Sequence, residues 1–184
     1  MAKILFIYPN KQGHGITALW IPSHYSVLKS KGHDVRLFDC TFYKDWTVNE
    51  TDFNTANMMY KPSQYSNYVK FSNNDILSDL QIEIDNYQPD IIFWSALSSH
   101  IHGEGEYVSI EYGHELTKQI KSNAKRISGG LQPTASSAGM YDKFPNIDYF
   151  IAGESEFVLS DIADNINSPE IIKTLNGVTY KEKN

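Results

Sequence analysis

Arg126-Ile127-Ser128-Gly129-Gly130-Leu131-Gln132-Pro133-Thr134 passes from a short apolar strand signal into a glycine pair, and Tyr149-Phe150-Ile151-Ala152-Gly153-Glu154-Ser155-Glu156 follows the same plan further along. In open α/β sheets, turns past the ends of successive parallel strands line one crevice, and ligands are held there. A glycine pair leaves bare backbone at its turn, so a bulky group can lie against the main chain without meeting a Cβ. The two turns together predict a ligand slot.

Working outward, strand signals alternate with amphipathic segments along most of the chain, the pattern of βα units and a mainly parallel sheet. Ile4 to Tyr8 is an unbroken apolar run, as expected of a central strand covered on both faces, and Pro9-Asn10 ends it. Pro22 suits the first turn of a helix running to about Lys31, with Gly32 closing it in the left-handed region before a strand at Val35 to Phe38. Ile76, Leu77, Leu80, Ile84 and Tyr87 recur at helical spacing until Pro89 stops them ahead of Ile91-Ile92-Phe93-Trp94. Val108, Tyr112, Leu116 and Ile120 mark a further stripe, and Phe157, Val158, Ile162, Ala163 and Ile166 another after Gly153. Five βα units and right-handed crossovers predict a flavodoxin-like (Rossmann-like) α/β fold with a parallel five-stranded sheet in the order 2-1-3-4-5.

Two stretches stand outside the alternation. Residues 41–72 lack periodicity yet hold Phe42, Tyr43, Trp46, Phe53, Tyr60, Tyr65, Tyr68 and Phe71. So much apolar surface argues for an insertion packed on its own domain, or for a cover over a ligand or a docking surface. Near the other end, Asn176-Gly177 signals a turn before Val178-Thr179-Tyr180, so the tail forms a short extra strand or, over 170–184, opens a linker.

The 184 residues fit one domain, with 16 Lys and Arg against 22 Asp and Glu for a formal charge of -6. No basic run is long enough to track a phosphate backbone, so nucleic acid is not an expected partner, and no apolar stretch predicts a membrane span. Met1-Ala2-Lys3 leads into a strand signal instead of a signal-peptide core, and Cys40 is the single cysteine; the expected location is cytoplasmic. A lone thiol excludes a Cys-rich zinc or iron–sulfur site built from this chain alone, and Cys40 is expected to pack at a strand end.

The order of these motifs resembles the cobalamin (B12)-binding domain at the N-terminus of B12-dependent radical SAM enzymes, the methyltransferases and anaerobic protoporphyrin cyclases. The resemblance covers nearly all of residues 1–184. It is carried by Lys3 to Pro9, by Lys31-Gly32-His33-Asp34-Val35, by Pro89-Asp90-Ile91-Ile92 leading to Ser95, by Gly129-Gly130 with Pro133-Thr134, by Asp148 to Ile151 with Gly153-Glu154-Ser155-Glu156, and by Gly177 to Tyr180. It implies a domain that holds cobalamin and presents the cobalt to a radical SAM domain of the same polypeptide. SAM and the [4Fe-4S] cluster would belong to that downstream domain, since the Cys-x-x-x-Cys-x-x-Cys site is absent here, and no residue of this chain is expected to be catalytic.

By the same resemblance the cofactor-binding residues are Asn10, Gln12, Gly15, Ser95, Leu97, Gly129, Gly130, Pro133, Thr134, Gly153, Glu154 and Glu156. Ser95-Ala96-Leu97 and Gly129-Gly130 match the family's second and third elements, with Ser95 bonding the base of the nucleotide tail and the glycines leaving room for it. The first element departs: Asn10 stands for Asp, Gln12 for the cobalt-ligating His, and only Gly15 is kept. No lower axial histidine is therefore expected, and His14 is a weak candidate in its place. Glu154 and Glu156 are either ribose or amide contacts or acidic residues favoured by a helix dipole.

Several residues read as background. His100 and His102 with Glu104 and Glu106 resemble a metal cluster but have no third ligand at a fixing spacing, which favours a solvated loop. His24, His33 and His114 are expected at the surface or at helix ends. The front third also suggests the N-terminal half of a nucleotide-sugar glycosyltransferase with His14 as base, and a flavodoxin-like binding module is a third possibility.

Overall fold

The computed structural model describes residues 1–11, 18–47, 69–95, 108–130 and 137–181. Six strands form one sheet: β1 (Lys3–Tyr8), β2 (Asp34–Asp39), β3 (Ile91–Ser95), β4 (Lys125–Gly130), β5 (Tyr149–Ala152) and β6 (Val178–Tyr180). Their order is β2-β1-β3-β4-β5-β6. The predicted 2-1-3-4-5 order is thus present and all parallel, and the tail adds β6 antiparallel to β5, with Val178 opposite Ile151. Gly177, at φ +84°, makes the turn that brings β6 back onto the edge.

Helices cover both faces. α1 (Trp20–Ser30), α5 (Glu156–Asp164) and the short α6 (Pro169–Ile172) lie on one; α2 (Ile76–Tyr87), α3 (Val108–Thr117) and α4 (Ser137–Lys143) lie on the other. The period-2 alternation of the strands assigns each side chain to a layer. Ile4, Phe6, Ile91, Phe93, Ile127 and Ile151 face α1 and α5, whereas Leu5, Ile7, Ile92, Trp94 and Phe150 face α2 to α4. All five β3 residues are buried, which is why that strand shows an apolar run with no polar alternation.

Helix boundaries follow local chemistry. Asp75 caps α2 by accepting from the Ser78 amide at 2.7 Å, and Gln88, left-handed at φ 50°, closes it just before Pro89. Gly32, at φ +83°, ends the α1 turn as the sequence predicts. Cys40 is fully buried past the end of β2, and burial pushes its thiol pKa well up. The insertion begins and ends on its own domain: Phe42 and Lys44 exchange backbone hydrogen bonds with Ser72, and Trp46 and Tyr43 join the α2–α4 core. Residues 48–68 lie outside the described ones.

Candidate functional site at the carboxyl edge of the sheet

The carboxyl ends of β3, β4 and β5 place the predicted residues side by side. Ser95 pairs with Gly129 in register, Gly129 with Ile151, and Gly130 with Ala152. Gly130 also forms an isolated bridge with Gly153, so the two glycine turns do meet at one rim. Both have positive φ, +116° and +80°, a region where side chains are strained. A Cβ added at Gly153 would meet nothing within 4 Å. The rim therefore has open space beside Gly153, whereas Gly130 and Ser95 are buried.

Gly129 behaves differently from its neighbour. A Cβ there would fall 2.8 Å from Ser155 Cβ, 2.9 Å from Ser155 Oγ and 3.2 Å from Phe93 Cε2. The room expected to receive a ligand at Gly129 is taken by the protein's own side chains, because Ser155 is drawn inward by His24. His24 Nε2 lies 2.7 Å from Ser155 Oγ, and Nδ1 lies 2.7 Å from the Trp20 carbonyl. A carbonyl can only accept, so Nδ1 carries the proton and Nε2 accepts from the serine hydroxyl. Burial lowers the His24 pKa, opposed by the Trp20 hydrogen bond and the nearby Glu156 charge. The ring packs among Phe93, Trp20 and Phe6 at centroid separations of 5.0, 5.8 and 6.3 Å.

The surface assignment of His24 is thus corrected, and a sequence signal existed: Trp20, His24 and Leu28, the buried residues of α1, recur every four positions. His33 is buried as well. Its Nδ1 accepts from the Ala2 amide at 3.2 Å, so Nε2 carries the ring proton, and Nε2 stands 3.1 Å from an Asp164 oxygen. His114 is half-buried on α3 with its ring edge-on to Phe144, and burial lowers its pKa.

Other predicted residues are held by the protein itself. Asn10 is buried, and its amide nitrogen donates to Thr41 Oγ1 at 3.1 Å. Glu156 accepts from Ser23 Oγ at 3.0 Å. Its carboxyl is desolvated, which pushes the pKa up, but the backbone N–H groups of Glu156 and Ser155, the Ser23 hydroxyl and the His24 charge hold it below the ordinary range. Glu156 therefore serves the start of α5, whereas Glu154 is exposed at the rim. Gln12, Gly15, Leu97, Pro133 and Thr134, with His14, His100, His102, Glu104 and Glu106, lie outside the described residues. Among the described residues, no group of three or more His, Cys, Asp or Glu is gathered to hold a metal ion. Nor is any helix long and apolar enough to cross a membrane.

Sequence reasoning missed one anchor of this edge. Lys11, next after Asn10, points its ammonium over the Trp46 ring at 3.9 Å and the Tyr112 ring at 4.6 Å, and pairs with Glu115 at 2.9 Å. The partners come from the insertion and α3, so no local spacing announces them. The clamp fixes the chain where it leaves β1.

The fold recurs in known structures. A radical S-adenosylmethionine methyltransferase, TsrM from Kitasatospora setae, solved with cobalamin and a [4Fe-4S] cluster bound, matches 99% of this chain with a TM-score of 0.65 at 15% identity. Its complex with tryptophan and a SAM analogue matches 100% of the chain at 0.67 and 14%. The cobalamin-dependent S-adenosylmethionine radical enzyme OxsB, with aqua-cobalamin and S-adenosylmethionine, matches 100% at 0.51 and 16%. The chain has the flavodoxin-like α/β fold that these enzymes contain. It spans only 21% to 29% of the length of those enzymes. No protein-family profile matches it, and no curated protein does.

Proposed function

We propose that this chain is a cobalamin-holding domain that presents the corrinoid to a radical SAM domain, in an enzyme of radical methyl transfer or oxidative cyclisation. One observation supports it above the others: the bridged Gly130 and Gly153 turns form a side-chain-free rim at the carboxyl edge, on a fold shared over its full length with cobalamin-dependent enzymes. A broad, flat macrocycle needs such a surface, because every Cβ beneath it would hold it off the backbone.

The residues fit the group at the rim and not in depth. Ser95, Gly130 and Gly153 are the described residues that would hold it, with the exposed Glu154 beside them. Gln12, Gly15, Leu97, Pro133 and Thr134 complete the proposed set. Gly129 supports the packing of Ser155 instead of a ligand. When bound, the corrinoid supplies a reactive cobalt; the residues of this chain orient it and perform no step of the chemistry.

Mixing the chain with hydroxocobalamin, desalting, and reading visible absorbance tests the proposal. Near-stoichiometric colour is expected in the protein fraction. Gly130→Val is expected to lose it, with a melting curve run alongside to show that the variant is folded. A colourless unaltered chain at micromolar concentrations of both components sinks the reading.

A further inference from the structure

Among the described residues, the space between the sheet and the α1–α5 layer is filled at Gly129, where a ligand lying on the carboxyl edge would enter it. Gly129 is the last residue of β4 that faces this layer, and Ser155 occupies the room its missing side chain leaves. His24 holds the Ser155 hydroxyl from behind, while its own ring is held by the Trp20 carbonyl. Ser155 is 3% exposed and His24 2%. Phe6, Trp20 and Phe93 fill the surroundings, with Trp20 and Phe93 at 5.7 Å and Phe6 and Trp20 at 5.3 Å. On the other side of the sheet Trp94 is fully buried with its indole against the backbone of Gly113.

We infer that Ser155 and His24 form a latch that keeps the nucleotide tail of a corrinoid out of the α1–α5 side of the sheet, so that this domain recognises the ring and not the tail. The inference rests on the corrinoid reading above. A nucleotide base entering this layer past Gly129 would have to displace the Ser155 side chain, which already holds that place. Swinging Ser155 aside would separate it from His24 and leave two buried polar groups unpaired. The latch thus has a chemical reason to stay shut.

Equilibrium dialysis of the full chain against diaquocobinamide, which lacks the nucleotide, and hydroxocobalamin, which carries it, tests the latch. On the unaltered chain the two dissociation constants are expected within about threefold of each other, a comparison that needs no variant to fold. Ser155→Gly removes the plug and is expected to tighten hydroxocobalamin about tenfold while leaving cobinamide unchanged. Ser155→Ala removes the hydroxyl that His24 holds but keeps the Cβ, and is expected to tighten hydroxocobalamin by less than Ser155→Gly does. A preference of about tenfold or more for hydroxocobalamin in the unaltered chain overturns the latch and leaves the corrinoid reading standing. Equal tightening of both ligands by Ser155→Gly, or of neither, also overturns it. Retention of neither corrinoid by the unaltered chain overturns the corrinoid reading and the latch with it.

Discussion

At the amino edge of the sheet, charged and polar side chains close the strand starts, whereas at the carboxyl edge the backbone of Gly153 has open space beside it. Asp90, at the foot of β3, accepts from the Lys3 amide of β1 at 2.8 Å. Asp148, at the foot of β5, accepts from the Arg126 amide of β4 at 2.8 Å and from Lys125 Nζ at 3.1 Å. His33 does the same for Ala2. These are staples between neighbouring strands, and they explain why Pro-Asp-Ile-Ile and Asp-Tyr-Phe-Ile help to carry the family resemblance. They report the fold. The glycines at the opposite edge divide: Gly129 faces packed protein and Gly153 faces open space.

The largest effect is expected where the carboxyl edge is as solid as the amino edge. Phe93→Ala removes a fully buried ring in contact with Phe6, Trp20 and His24. It is expected to cost about 3–5 kcal/mol in urea unfolding, and a loss under about 1 kcal/mol would show that this layer is loosely filled. Asp148→Ala comes next. The strand amide loses a charged acceptor, and a fall of about 1.5–3 kcal/mol is expected, with hydroxocobalamin retention per folded molecule unchanged. If retention falls while the unfolding midpoint holds, the amino edge is not merely a staple.

Much of this division could be seen in the sequence, and the limits have a physical cause. Strand cores such as Ile4 to Tyr8 and Ile91 to Trp94 announce themselves because burial on both faces demands continuous apolar residues. The order 2-1-3-4-5 then follows from connectivity. Glycine is harder to interpret, because a missing Cβ serves equally for a ligand, a left-handed turn or a neighbouring side chain. Gly130 and Gly153 have positive φ, but Gly129 is needed by Ser155, and nothing local distinguishes the three. His24 was legible through its four-residue spacing with Trp20 and Leu28; a polar residue in an apolar stripe is easily assigned to the surface. The Lys11 clamp was not legible, because its ring and carboxylate partners are brought to it only by the fold.

Smaller effects sharpen the contrast at the open rim. Gly153→Ala adds a Cβ that meets nothing, so its cost is the backbone alone, about 1–2 kcal/mol for an alanine held in the left-handed region. A greater loss in thermal unfolding would mean that the rim is covered and not open.

The smallest expected effect concerns His24 and the pH dependence of stability. Its folded pKa lies below the ordinary 6.5, chiefly through burial. As the pH falls below 6.5, the unfolded chain takes up a proton at this residue before the folded chain does, so the unfolded state binds more protons and stability declines. The contribution is fully present above pH 6.5 and is lost as the pH falls through the folded pKa. Glu156, held below its usual 4.5, titrates further down and leaves this window clear. His114 is lowered by burial in the same direction and adds to the slope of the unaltered chain. His24→Gln retains His114 and is expected to flatten the fall in melting temperature between pH 6.5 and 5. Parallel curves for the two proteins would show that the imidazole is already solvated, and that Ser155 is not held from behind.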